Sequence, residues 1–184
     1  MKLLLTTSRK SSQRVRQFIK EFSYIFPKSF IQRSNRGKRS LDELFERSVA
    51  RYDRIILITN RHGNPNKIIG YYKKDSTFQW CFEFKLQNVK LSYELQTTVF
   101  PNPEKIQIHY DNIDENLEKI LRNFFEPFVI SDESAEQNNF QTIVFKHKER
   151  GFQIYVENGD NKLVPPEISI DEIIIGDPEI TREE

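Results

Sequence analysis

Three short stretches near the start of the chain collect the side chains best suited to holding an anion. The first is Thr6-Thr7-Ser8-Arg9-Lys10-Ser11-Ser12-Gln13-Arg14. It follows an apolar run, and its hydroxyls mark a helix start. A helix N-terminus presents unpaired N–H groups and a partial positive charge. Arg9, Lys10 and Arg14 oppose that dipole, and a phosphate in the turn relieves the conflict, each contact contributing on the order of 1 kcal/mol. In the plainer reading, Ser8 or Ser11 is an N-cap and the cations are solvated. The second stretch, Arg33-Ser34-Asn35-Arg36-Gly37-Lys38-Arg39, holds four cations in seven residues and no apolar side chain. An ordinary surface loop mixes its signs, so this one suits a polyanion. The third is Arg61-His62-Gly63-Asn64-Pro65-Asn66-Lys67, dense in turn residues. Its amides can bond base edges, while His62 alone reads as a surface residue. Gathered on one face, the three would neutralise about 6–8 phosphates, with a salt dependence of roughly 0.7 log units per single-strand contact. Tyr71 and Tyr72 can stack on bases, although alternation along a strand turns one of them into the core.

The charge pattern along the chain agrees. Residues 1–74 hold 18 Lys and Arg against 5 Asp and Glu, a net +13; residues 75–184 hold 10 against 22, a net −12. The formal charge of +1 conceals this division. A segment so basic calls for a nucleic acid or an acidic protein nearby. Catalytic signals are weak. The chain carries no phosphate-binding glycine loop, no H-E-x-x-H and no Cys/His cluster, so no catalytic residue, metal site or cofactor is expected. Asp42, Glu43 and Glu46 are the only carboxylates clustered near the basic stretches, and a helix cap accounts for Glu43. The single cysteine, Cys81, lies between Trp80 and Phe82 and reads as a core residue. Met1-Lys2-Leu3-Leu4-Leu5 is too short for a signal or a membrane span, which places the chain in the cytoplasm.

The elements that must position these residues follow from periodicity. Leu3-Leu4-Leu5-Thr6-Thr7 is a buried strand. Val15, Phe18, Ile19, Phe22 and Phe26 form the stripe of a helix ended by Pro27. A short strand is expected over 29–32, then the basic loop, then a helix capped by Ser40 with Glu43 at capping-box spacing. Leu41, Leu44, Phe45, Val49 and Tyr52 form its apolar face. Strands follow at 55–59 and 68–72, so the first part reads β-α-β-α-β-β. In the second part, strands are expected over 78–84, 89–95 and 106–108. A helix capped by Asn112 then carries Leu117, Ile120, Leu121, Phe124 and Phe128, and strands near 143–145, 152–156 and 168–170 close the chain. Ser131 to Asn139 reads as an acidic loop, and 176–184 as a frayed acidic tail. Both parts share an outline of strands, a capped helix and more strands.

The spacing Leu4-Leu5-Thr6-Thr7-Ser8-Arg9-Lys10-x-Ser12-Gln13-Arg14, then Ser34-Asn35-Arg36-Gly37, Ser40-Leu41-Asp42-Glu43-Leu44 and Ile56-x-Ile58-x-Asn60-Arg61-x-Gly63-Asn64-Pro65, resembles the Brix-domain family. The motifs cover the first 70 or so residues, and the whole chain is similar in length to a minimal archaeal-type member. The resemblance implies one domain over 1–184, an α/β fold of two similar lobes (1–74 basic, 75–184 acidic), and kinship with the anticodon-binding domain of class II aminoacyl-tRNA synthetases. It further implies a ribosome biogenesis factor that binds ribosomal RNA precursor and assists its processing, with ribosomal proteins or assembly factors as further partners and no membrane or small-molecule substrate. RNA binding carries over onto Arg9, Lys10, Arg14, Asn35, Arg36, Gly37, Arg61 and Asn64. Arg33, Lys38, Arg39 and Lys67 join them on charge and position. The Gly-Pro-Arg stretch of many eukaryotic members is missing, since the corresponding region reads Asn158-Gly159-Asp160-Asn161-Lys162. Two other readings compete: a charge-driven protein–protein adaptor that binds no RNA, and a nuclease or phosphoryl-transfer enzyme.

Overall fold

A run that is apolar at every position, as in Leu3-Leu4-Leu5, suits a strand covered on both faces. In the computed structural model, which describes residues 1–98, 102–129, 140–149, 151–160 and 162–176, this run is β1 (Leu3–Thr7) and is buried throughout. Next come α1 (Gln13–Ser23), β2 (Ile31–Asn35), α2 (Leu41–Ser48), β3 (Arg54–Arg61), β4 (Asn64–Lys74) and β5 (Thr77–Lys90). The chain continues through α3 (Ser92–Leu95), β6 (Lys105–Asp111), α4 (Glu115–Phe125), β7 (Phe140–His147), β8 (Phe152–Asn158) and β9 (Leu163–Ile175). The nine strands make one mixed sheet in the order β2-β1-β3-β4-β5-β9-β8-β7-β6. β1 runs parallel to β2 and β3, and β6 parallel to β7; the remaining pairs are antiparallel.

Both faces of β1 and β3 are covered. Leu3, Leu5, Ile56 and Ile58 meet Val15, Phe18 and Phe22 of α1 in the larger core, which also takes Leu117, Ile120 and Phe124 of α4. Leu4, Ile55 and Leu57 point the other way, onto Leu44 and Phe45 of α2. The double cover corrects the expectation for the tyrosine pair. Tyr72 enters the larger core and Tyr71 the smaller, so both are buried and neither can stack on a base. Cys81 lies in the larger core, and burial pushes its thiol up to about 12, which leaves it a poor nucleophile near neutral pH.

The capping box of α2 is present: the Ser40 hydroxyl accepts the Glu43 N–H at 3.1 Å and the Glu43 carboxylate accepts the Ser40 N–H at 2.8 Å. Ser40→Ala is expected to cost about 1 kcal/mol in urea unfolding; an unchanged midpoint would show that the box does not hold α2.

Several boundaries depart from the sequence reading. The first helix begins at Gln13, capped by Ser12, and ends at Ser23, short of Pro27. β2 starts at Ile31 and takes Arg33, Ser34 and Asn35 into the sheet, since β1 supplies their partners. The expected strands over 78–84 and 89–95 are one strand, β5, which bulges and does not turn; its last expected residues form α3. Asp114, not Asn112, caps α4: its carboxylate accepts the N–H groups of Asn116 and Leu117, whereas Asn112 sits at φ 56° in the turn before it. β9 runs on to Ile175, so Asp171 and Glu172 are strand residues. The acidic loop read over 131–139 and the tail beyond 176 lie outside the described residues.

The shared outline has a counterpart in the sheet. β1-β3-β4-β5 and β6-β7-β8-β9 repeat one another in order and sense: a parallel pair, then two antiparallel steps. β2 and α2 are additions to the first set. The sets meet at the antiparallel pair β5–β9, so the parallel pairs end at opposite poles of the sheet.

Candidate nucleic-acid interface

Three parallel strands finish side by side: Thr7 of β1 pairs with Asn35 of β2 and with Ile58 of β3. All three basic stretches therefore emerge at one pole. The chain leaves β1 for α1 on one face, and returns from β2 through α2 on the other. The ends of such strands, where connections diverge to opposite faces, form the crevice in which open α/β sheets bind ligands.

The turn after β1 is held open. Lys10 has φ 55°, a conformation costly for a side chain other than glycine, and the Asn60 amide at the end of β3 donates to its carbonyl at 3.0 Å. The Ser12 hydroxyl caps α1 by accepting the Val15 N–H at 3.1 Å, and it donates to the carbonyl of Gly63. Gly63 belongs to a two-residue hairpin turn with His62, at φ 85° and 50°, the geometry of a type I′ turn. Arg61 and Asn64 are therefore strand residues facing each other across that hairpin, both exposed. Asn60 and Ser12 tie the first stretch to the third. Charge and turn content single out neither.

Two guanidinium groups converge. Arg9 donates through Nε to the carbonyl of Arg39 at 3.1 Å, and Arg36 donates through Nε to the same oxygen at 2.9 Å. The two Nε atoms are thus at most about 6 Å apart, and charges at that spacing repel by roughly 0.7 kcal/mol in water and about 3 kcal/mol at an effective dielectric of 20. Among the described residues no carboxylate pairs with Arg9, Lys10, Arg36, Lys38, Arg39 or Arg61. Lys38 and Arg39 are exposed, on a loop that Gly37 turns at φ 65°. The hydroxyls of Thr6, Ser8 and Thr59, at the same end of the β1–β3 pair, are buried without a hydrogen-bond partner.

The comparisons agree with this architecture. No family model matches the chain. A probable Brix domain-containing ribosomal biogenesis protein of Methanococcus maripaludis is 28% identical over 166 residues, spanning 89% of this chain and 92% of that one. The crystal structure of a probable ribosomal biogenesis protein from Aeropyrum pernix has the same fold, with a TM-score of 0.72 at 24% identity over 93% of this chain and 96% of that one. The chain is similar to a Brix domain-containing protein over nearly its full length. The fold is also that of Mil, described as an archaeal Imp4-like protein, with a TM-score of 0.63 at 24% identity over 94% and 99% of the two chains. The U3 small nucleolar ribonucleoprotein protein IMP4 of Yarrowia lipolytica is 32% identical over 139 residues, 71% of this chain and 46% of that protein.

Not every cation of the chain stays at the pole. Arg14 points along α1 to α3, donating to Tyr93 Oη at 2.6 Å, to the carbonyl of Val89 at 2.9 Å and to both Glu94 oxygens at 3.0 Å. Its guanidinium is spent on binding α3 to α1. Lys67 pairs with Glu83 across β4 and β5. Arg33 lies on the β2 edge with its guanidinium 5.9 Å from the Tyr24 ring centre. Asn35 ends β2 beside the pole. Arg14→Ala is expected to lower stability by about 1 kcal/mol and to leave nucleic-acid affinity within about twofold; a large loss of affinity at unchanged stability would return Arg14 to the interface.

Among the described residues, no group of three His, Cys, Asp or Glu is placed to hold a metal ion, and no helix is long and apolar enough to cross a membrane.

Proposed function

We propose that this protein is a ribosome biogenesis factor that binds ribosomal RNA precursor at the pole formed by the ends of β1, β2 and β3. Its work is assembly and not catalysis. A ribosome biogenesis role is supported by the names of its relatives. The observation that carries the RNA reading is the convergence of Arg9 and Arg36 on one carbonyl without a carboxylate partner among the described residues. Two cations held close at a cost in repulsion are stabilised by an anion between them, and a sugar–phosphate strand supplies one every few ångströms. Asn64 and His62 at the neighbouring hairpin are placed to reach bases while Lys10, Lys38, Arg39 and Arg61 follow the backbone. The proposal keeps the expected kinship with the anticodon-binding domain, another α/β module that holds RNA.

Filter binding to ribosomal RNA fragments across a salt series tests this reading. Affinity is expected to fall steeply with salt, by about 0.7 log units per log unit of salt for each phosphate held. Affinity indifferent to salt would overturn it. So would light scattering that shows salt-sensitive self-association and no RNA binding, which is the behaviour of a charge-driven adaptor.

A further inference from the structure

The two sets of strands end differently. In the first, the chain leaves β5 at Lys90 and folds back as α3 against the flank of α1. Leu91 is fully buried there. Glu21, itself buried, accepts the Ser92 N–H at 2.9 Å and the Ser92 hydroxyl at 2.7 Å, and Arg14 clamps the far side. In the second set β9 ends at Ile175, and among the described residues nothing covers the matching flank, between α4 and the end of β9. A cavity of about 350 Å³ lies in it. Its apolar wall is formed by Ile113, Leu117, Phe152, Ile170, Ile173 and Ile175.

The rim carries two aspartates and one histidine, His147. Asp114 and Asp171 line it, and Glu115 stands exposed beside them in the first turn of α4. Lys85 is shared between Asp171 at 3.6 Å and Glu172 at 3.3 Å, so one cation serves two carboxylates. An occupant must bring an apolar anchor, as Leu91 does for α1, and cations to meet the rim. The chain's own continuation, Asp177-Pro178-Glu179-Ile180-Thr181-Arg182-Glu183-Glu184, carries four carboxylates and one cation and would be repelled.

We infer that the open flank of α4 is a docking groove for a basic, amphipathic segment of a protein partner, with one or two aliphatic side chains entering between α4 and β9 and flanking lysines or arginines on Asp114, Glu115 and Asp171. The groove lies at the pole opposite the Arg9–Arg36 pair, so this inference and the RNA reading stand or fall separately.

The test uses the full chain, labelled with ¹⁵N, and two short synthetic peptides. One carries leucines flanked by lysines; the other has glutamate at every lysine position. The lysine peptide is expected to perturb the amides of Ile113, Leu117, Ile173 and Ile175 and to bind at least about tenfold more tightly than the glutamate peptide. Asp171→Lys, an exposed site, is expected to weaken it about threefold to tenfold without moving the thermal midpoint. Equal affinity for the two peptides, perturbation confined elsewhere, or an Asp171→Lys variant that binds as before would each overturn the proposal. Preferential binding of a peptide with the sequence of residues 177–184 would assign the groove to the chain itself. A dimer dispersed by Ile173→Glu would assign it to a second copy. Either result rejects the partner.

Discussion

Replacing Arg9 and Arg36 together by glutamate should lower affinity for a ribosomal RNA fragment by about 100-fold or more, equivalent to about 2.7 kcal/mol. Both side chains donate to one carbonyl oxygen, so on the RNA reading the double change removes two phosphate contacts and puts repulsion in their place. The salt dependence should flatten at the same time, by about 1.4 log units per log unit of salt if two single-strand contacts are lost. The control is Arg47→Glu with Arg51→Glu. Both are exposed, they lie at and beyond the far end of α2, and the net charge changes equally. If the controls weaken binding as much as the Arg9 and Arg36 pair, long-range attraction is at work and the pole is not the site. Circular dichroism should show an unchanged fold in both variants, because none of the four side chains is buried.

The largest effect on stability is expected at Gly70. A Cβ there would stand 2.3 Å from Phe82 Cε1 and within 2.8 Å of two further ring atoms. The ring cannot retreat easily: Phe82 is fully buried, with Phe84 at 4.6 Å and Phe124 at 5.0 Å between ring centres. Gly70→Ala should therefore cost about 3 kcal/mol, the upper part of the range for overpacked cores. Adding Phe82→Leu should recover part of that loss, although Phe82→Leu alone is destabilising. Additive losses in the double variant would show that backbone freedom at Gly70, and not the ring, sets the cost.

Much of this was legible in the residues because the signals were local. The capping box at Ser40 and Glu43 needs only a spacing of three, and the buried strands near Leu4 and Ile56 need only uninterrupted apolar side chains. The elements that slipped were those decided by distant partners. Residues 33–35 look like loop by composition and are strand because β1 lies beside them. Asn112 and Asp114 both suit a cap, but Asn112 is taken up by the turn after β6, at φ 56°, and Asp114 stands at the helix start. Among the site residues, sequence could group Arg9, Lys10, Arg36 and Arg61 by charge and family spacing. It could not tell that Arg14 and Lys67 would be taken up by Glu94 and Glu83, which lie 80 and 16 residues away. Asn60 and Ser12 stand in the family spacing, but the carbonyls they meet could not be read from it.

The antiparallel joint between β5 and β9 has a mechanical consequence. β5 is 14 residues long, about 45 Å when extended, and hydrogen bonds tie it on both sides. The two poles are therefore the ends of a stiff bar. Anything gripped at one end would be kept a set distance from anything gripped at the other, and the molecule would then work as a gauge block between them.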